Sequence, residues 1–260
     1  MMKLKLLAAG ITLISAFNAQ AIPVNFGAFT AEWLNPVAKP GPNQPVASAA
    51  GTNPTIRWGS PATASGQSGY NFDSESPFST EFDTVMGMSD IFELGTFTHL
   101  NNPIYSSGSS LLSVDLKLST TVQAGALPAE NVDFLFSFNH EETPNSANPC
   151  AYGPAGQTGV NVNGCADRVT TNTNAFTDVF SISGVDYTID IRGFTVGGNF
   201  VDGFLTKEKV DNQAIIIAKI TAFENINEVP EPAPFAILGA GLLGLGAVRR
   251  MKKNKAVTEK

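Results

Sequence analysis

Carboxylate and amide oxygens gather in one stretch of this chain, where Glu142, Asn145, Asn148 and Asp167 surround both cysteines, Cys150 and Cys165. Hard oxygen donors of this kind are what calcium prefers, so Glu142, Asn145 and Asp167 form a candidate calcium site. Asp and Asn also populate loops because they tolerate turn conformations and bond their own backbone, so a solvated turn cluster is the alternative. His99 and His140 each end a strand-like run beside polar neighbours, Asn101 and Asn102 in one case and Glu141 and Glu142 in the other. With Glu142 they could supply the three protein ligands of a zinc site; two histidines bonding loop backbone at strand ends is the plainer reading. The chain has no Gly-x-Ser-x-Gly elbow and no His-Glu-x-x-His helix, which removes support for nucleophilic and zincin chemistry. A glycosidase-type acid pair needs only that two carboxylates meet in space, and the sequence singles out no such pair.

The two ends of the chain indicate where this chemistry would operate. Lys3 and Lys5 precede an apolar stretch from Leu6 to Phe17, then Ala19-Gln20-Ala21, so residues 1–21 read as a secretory signal peptide and the mature chain should start at Ile22. At the other end Val229-Pro230-Glu231-Pro232-Ala233 is followed by an apolar run from Phe235 to Val248 and six Lys or Arg. Fourteen residues rise only about 21 Å against a hydrocarbon core of roughly 30 Å, a marginal transmembrane helix over 235–248. The basic tail should hold the C-terminus in the cytoplasm and leave everything upstream outside. Pro-Glu-Pro, helix and basic tail in that order resemble the PEP-CTERM sorting signal of bacterial surface proteins, over residues 228–255. The resemblance implies an exosortase as processing partner, acting at Val229, Pro230, Glu231 and Pro232. It also implies an inner-membrane form facing the periplasm before processing, and a cell-surface or extracellular form afterwards. In that oxidising setting the only two thiols are most simply a Cys150–Cys165 disulfide, stabilising by about 3 kcal/mol on the chain-entropy model.

Without the basic residues of both targeting segments, eight Lys and Arg remain against 22 Asp and Glu, a net charge of −14. Such a surface repels nucleic acid and anionic lipid, and suits a solvated extracellular protein. Residues 22–227 are long enough for one sizeable core. Leu112, Val114, Leu116 and Leu118 alternate with polar positions, as do Val132, Phe134, Phe136 and Phe138, the signature of half-buried strands. Further strand-like runs cover Val24 to Phe29, Thr55 to Trp58, Phe92 to His99, Phe176 to Ile182, Tyr187 to Phe194 and Ala214 to Phe223, with a hairpin turn at Ser183 to Asp186. Eight to ten short strands without helices predict an all-β fold, an antiparallel β-sandwich of jelly-roll type. Four prolines between Pro36 and Gly51 predict a long surface loop there, and Glu141 to Asn174 a second loop. Trp58 reads as core, with sugar stacking as the alternative.

Arg57-Trp58-Gly59, the run Leu94 to Ile104, Glu142 to Asn145, Cys150, Cys165, Asp167 and the run Tyr187 to Phe194 resemble, in that order, the choice-of-anchor K domain of secreted bacterial proteins. One departure is Ala166-Asp167-Arg168-Val169, which has a single acid where an acidic pair is expected. The resemblance implies location and architecture, not an activity. The two resemblances together imply a noncatalytic surface or extracellular-matrix protein associated with exopolysaccharide. A carbohydrate-binding module, marked by a row of exposed aromatics on one sheet face, is the alternative. A secreted hydrolase, marked by clustered acids in a deep cleft, is the third.

Overall fold

Alternation of apolar and polar residues forces these segments into strands whose buried faces must meet, and the computed structural model shows how. It describes residues 21–223 apart from 76, 157, 173–178 and 183–184. The signal peptide up to residue 20, Phe176, the turn at 183–184, the Pro-Glu-Pro segment and the apolar run 235–248 lie outside the described residues. The chain divides into Met1–Phe223 and Glu224–Lys260, and none of the second unit is described. Among the described residues no helix is long and apolar enough to cross a membrane.

The described part is all-β and antiparallel, with one 3₁₀ turn at Gly159–Asn161. The strands are β1 (Ala21–Phe26), β2 (Thr30–Ala38), β3 (Val46–Ala47), β4 (Thr55–Trp58), β5 (Ser68–Ser74), β6 (Phe78–Asp83), β7 (Met88–Ser89) and β8 (Phe92–Asn101). They continue as β9 (Leu111–Ala124), β10 (Glu130–Glu141), β11 (Asp167–Asn172), β12 (Phe180–Ile182), β13 (Val185–Val196), β14 (Asn199–Val201), β15 (Gly203–Thr206) and β16 (Val210–Phe223). Hydrogen bonds run through the order β15-β11-β10-β9-β1-β6-β7-β16-β8-β5-β4-β3, with β2 also on β9 and with β13 on β16 carrying β12 and β14. This continuous network folds over on itself. Trp33 of β2 packs on Tyr70 of β5, Phe138 of β10 on Phe97 of β8 and Phe194 of β13, and Phe134 of β10 on Phe180 of β12. The strands around β9 and β10 therefore face those around β8 and β16, a sandwich-like arrangement whose core is unusually aromatic.

The described residues form sixteen strands where eight to ten are expected. The difference comes from β2, β5, β6, β11 and the short strands β3, β7, β14 and β15, whose sequences lack clean alternation. β2 runs through Pro36 into the predicted loop because a bulge, with Asn35 at φ 49°, takes the proline out of the ladder between Leu34 and Val37. Likewise Val46–Ala47 pairs with β4, and the second predicted loop shrinks to 142–166 once β11 forms. Leu112 is a second correction. It is exposed while Leu111 is buried, because the pairing of β9 with β2 shifts by one residue between Val37 and Ala38, and the inward face changes parity there. Val114, Leu116 and Leu118 face the core as expected, and so do Val132, Phe134, Phe136 and Phe138. Val185 and Asp186, expected in a turn, already belong to β13, which pairs with β12 across the predicted hairpin.

Candidate functional site

The inward register of several strands turns from apolar to polar at one end of the sandwich. On β10 the series Val132, Phe134, Phe136, Phe138 continues to His140; on β8 Phe97 is followed inward by His99 and Asn101. β5 begins inward with Ser68 and Tyr70, β4 ends inward with Trp58, β15 ends inward with Thr206, and β11 begins inward with Asp167. Strand pairing sets Tyr70 opposite His99, Trp58 opposite Ser68 and Asp167 opposite Thr206. Every one of these side chains is buried. A polar end of this kind is tolerated only if its groups satisfy one another.

The histidines do so. His99 Nε2 lies 3.3 Å from Ser68 Oγ, whose own proton goes to the Leu100 carbonyl at 3.0 Å, so Nε2 is the donor. His99 Nδ1 then accepts from Thr206 Oγ1 at 2.9 Å. His140 Nδ1 sits 2.6 Å from the Tyr70 hydroxyl, and its Nε2 3.3 Å from Glu142 Oε2. The two rings meet edge to face with centroids 5.1 Å apart, against Trp58. Their partners are side chains, on the paired strand β5 and on β15 for His99, and on β5 and two residues along the chain for His140, not the loop backbone expected from strand ends. Burial holds the imidazole of His99 well below its usual range, with His140 adding to the effect, and burial lowers His140 to about 4. Both rings are therefore neutral at pH 7, and His140 with Glu142 is a hydrogen bond before it is an ion pair. His99, His140 and Asp167 do bring ligand atoms within 4.8 Å of one another, but all four ring nitrogens are engaged in these contacts. A zinc set of His99, His140 and Glu142 would have to break that network.

Just beyond the histidines the carboxylates behave differently. Glu142, Asp167 and Glu208 bring one oxygen each within 4.8 Å of the others. Asp167 starts β11, where its Oδ1 accepts from the Thr143 amide at 2.7 Å while Oδ2 has no hydrogen-bond partner among the described residues. Both carboxylate oxygens of Glu208, in the β15–β16 turn, and the side-chain oxygen of Asn145 are also buried without a geometrically formed hydrogen bond among the described residues. At an effective dielectric constant of about 20, two full charges 4.8 Å apart repel by roughly 3.5 kcal/mol, so three ionised carboxylates cannot coexist here unaided. Protons take up the conflict. Burial lifts Glu142 to about 7, opposed by the nearby Trp58 indole N–H, which faces the carboxylate without reaching hydrogen-bond geometry, and by Lys39. Burial lifts Glu208 to about 7 as well, opposed by the neighbouring Asn145 amide, with Glu142 adding to the rise and Lys209 opposing it. Asp167 is pushed well above the usual carboxylate range by burial and then by Glu142.

The loop 142–166 is built to hold these donors still. Cys150 and Cys165 form the predicted disulfide, with Cα atoms 5.2 Å apart. Asn161 donates to the carbonyls of Tyr152 and Pro154 and accepts from the Ala166 amide, which delivers the chain to Asp167. A Cβ on Gly164 would come within 2.9 Å of Glu208 Cγ, so only glycine lets the loop and that glutamate approach so closely. On the other side, Asn212 bonds the Lys207 backbone through both its amide and its carbonyl oxygen, and Lys209, at φ 60°, donates to the Asn101 carbonyl. That tight turn points Glu208 inward. Over the acids lies a pocket of about 690 Å³ whose lining includes Lys39, Ile104, Tyr105, Glu142, Asn145, Glu208 and Lys209.

Of the residues singled out in the sequence, Glu142, Asn145 and Asp167 converge, while Asn148 is exposed on the loop surface. Glu208 was not anticipated: Lys207-Glu208-Lys209 carries the signature of a solvated turn, and only the Asn212 contacts reveal its direction. Tyr70, Ser68 and Thr206 also escaped, since nothing local marks an inward hydroxyl. Trp58 is fully buried, as its strand position predicts. The arrangement offers oxygen donors of the type that hold a hard divalent cation, under a pocket open to solution. No protein-family model matches this chain, and no curated protein matches it significantly.

Proposed function

We propose that this chain is an exported protein, processed by an exosortase, that works at the cell surface or in the extracellular matrix as a noncatalytic binding domain. The observation that carries the binding reading is the pocket of about 690 Å³ seated on the convergent oxygens of Glu142, Asn145 and Glu208. The export reading is supported by the signal-peptide pattern at residues 1–21 and by the Pro-Glu-Pro, apolar and basic elements of residues 228–255, with a transmembrane helix over 235–248. Jelly-roll connectivity and membership of the choice-of-anchor K group belong to the same proposal, as does association with exopolysaccharide. A flat sugar-binding platform has less support, because the exposed large aromatics among the described residues are Tyr105 in the pocket wall and Phe200 on β14, which make no row.

A secreted hydrolase is the second reading, favoured by the same clustered acids beneath a pocket. Glycosidases drive the pKa values of their two carboxyls apart, to keep one acid and one base. Here Glu142 and Glu208 both rise to about 7 and Asp167 rises with them, which fits a shared ligand better than divided roles.

Replacing Pro230-Glu231-Pro232 with alanines in an exosortase-containing host should leave an uncleaved, membrane-retained form, because the apolar run and basic tail still stop transfer. Intact-mass measurement of the membrane and medium fractions reads this directly. The same C-terminus in both versions would sink the processing reading, and release of sugar from polysaccharide that disappears in Glu142→Gln would replace binding by hydrolysis.

A further inference from the structure

We infer that Glu142, Asp167, Glu208 and the side-chain oxygen of Asn145 form a calcium centre at the floor of the pocket, completed on its open side by water or ligand. This rests on reading the pocket as a binding site, and names what it binds first. The acids alone would not establish it. The independent observation is that Asp167 and Glu208 are fully buried, yet among the described residues Oδ2 of the first and both oxygens of the second reach no formed hydrogen bond while converging with Glu142, the Asn145 amide lying beside Glu208 without forming one. Buried polar atoms are rarely left so; oxygens aimed at one point from three elements are what a cation would satisfy.

Donor chemistry selects the ion. All four donors are oxygens, and the imidazole nitrogens beside them, on His99 and His140, are engaged with Ser68, Thr206, Tyr70 and Glu142. This disfavours zinc and copper. The donors come from the β10–β11 loop, the start of β11 and the β15–β16 turn, and the loop and turn are held by the disulfide, Asn161 and Asn212. A preset cage with an open side suits the larger, geometrically tolerant calcium over magnesium, which demands a tight octahedron and sheds water reluctantly.

Three carboxylates brought within 4.8 Å of one another repel, and a divalent cation between them offsets that repulsion. The charged and titratable groups around the centre are Lys39 and Lys209 in the pocket wall, His140 beside Glu142, His99 beside Asp167, and Tyr70 behind His140. Once Glu142 is ionised, His140 Nε2–H becomes the donor to it and the Tyr70 hydroxyl the donor to Nδ1. Calcium would thereby fix the tautomer of a histidine in the core.

The test is calorimetric titration of calcium chloride into chelator-stripped protein purified from exporting cells, at pH 7. The expected result is one calcium per chain. Magnesium should bind at least ten-fold more weakly. Glu208→Gln and Asp167→Asn should each lose at least ten-fold in affinity, yet melt no lower than wild type in chelator, since each removes a buried acid that repels its neighbours. Glu142→Gln, at a partly exposed site, provides the same test if either of the others fails to fold. No stoichiometric calcium uptake, or variants that bind like wild type, would overturn the centre. If calcium fails to bind but polysaccharide still occupies the pocket, only the centre falls; if calcium binds and no ligand follows, the wider binding reading falls and the centre stands.

Discussion

Tyr70, His140 and Glu142 form a hydrogen-bonded chain leading from the middle of the aromatic core to the pocket floor. Tyr70 is fully buried and packs its ring on Trp33, Trp58, Phe97 and both histidines, while burial, with Asp167 and Glu142 adding to it, holds its phenol well above the usual range. The hydroxyl is thus always protonated at working pH. Tyr70→Phe keeps the ring contacts but leaves the His140 Nδ1 without its partner. We expect a loss of about 1–3 kcal/mol in denaturant unfolding, the cost of orphaning one buried polar atom. A loss below about 0.5 kcal/mol would mean that another group or a water takes over, and that this chain does not organise the polar end.

The loop 142–166 has little regular structure, so its order rests on side-chain contacts and one covalent bond. The Cys150–Cys165 bridge closes a loop with a sequence separation of 15, and both cysteines are buried. Cys150→Ser should lower stability by about 2–4 kcal/mol, measured by denaturant unfolding of the oxidised wild type and the variant. Because Asn145 and Asp167 flank the bridge, calcium affinity should fall with it, whereas strands remote from the loop should keep their amide-exchange protection. An unchanged midpoint would show that Asn161 and the packing of Ala166 hold the loop without the bridge.

At the scale of the whole molecule, stability should respond to pH in two opposed ways. Glu142 and Glu208 titrate near 7 when folded and near the ordinary glutamate value when unfolded, so the folded state holds their protons longer and stability falls as pH rises through that interval. His140 works the other way: the unfolded ring takes a proton near 6.5, the folded one only near 4, so stability falls as pH drops between them. In chelator the carboxyls outnumber the histidines and stability should decline with rising pH, most steeply above about 6.5, where the histidine contribution has levelled off. Saturating calcium removes the carboxyl contribution and should reverse the slope, leaving the histidine-driven rise between about 4 and 6.5. Thermal melts across pH in chelator and in calcium read both curves. A calcium curve parallel to the chelator curve would contradict the assignment of the raised acids to the cation site.

The strands were legible in the sequence wherever burial alternates without interruption. Val132, Phe134, Phe136 and Phe138 could face only one way, and Trp58, which reads as core with sugar stacking as the alternative, is inside. Pairing the two thiols needed only their number and an oxidising compartment, and the bridge is formed. Local pattern failed where a neighbouring strand overrode it. Pro36 lies within a strand because β9 accommodates a bulge, and Leu112 faces out because the same pairing shifts its register. The candidate site was half visible, since Glu142, Asn145 and Asp167 share one loop and one donor chemistry. Glu208, Tyr70, Ser68 and Thr206 come from turns and strands distant in sequence, and their roles follow from strand register, which pairs residues across more than a hundred positions in the case of His99 with Asn212. Residue chemistry and alternation are local properties, so the sequence by itself determined the all-β class, the inward faces of the longest strands and the donor type. Convergence of Glu142, Asp167 and Glu208 within 4.8 Å depends on which strands pair, in what register and how a turn is held, and only the tertiary structure decided that.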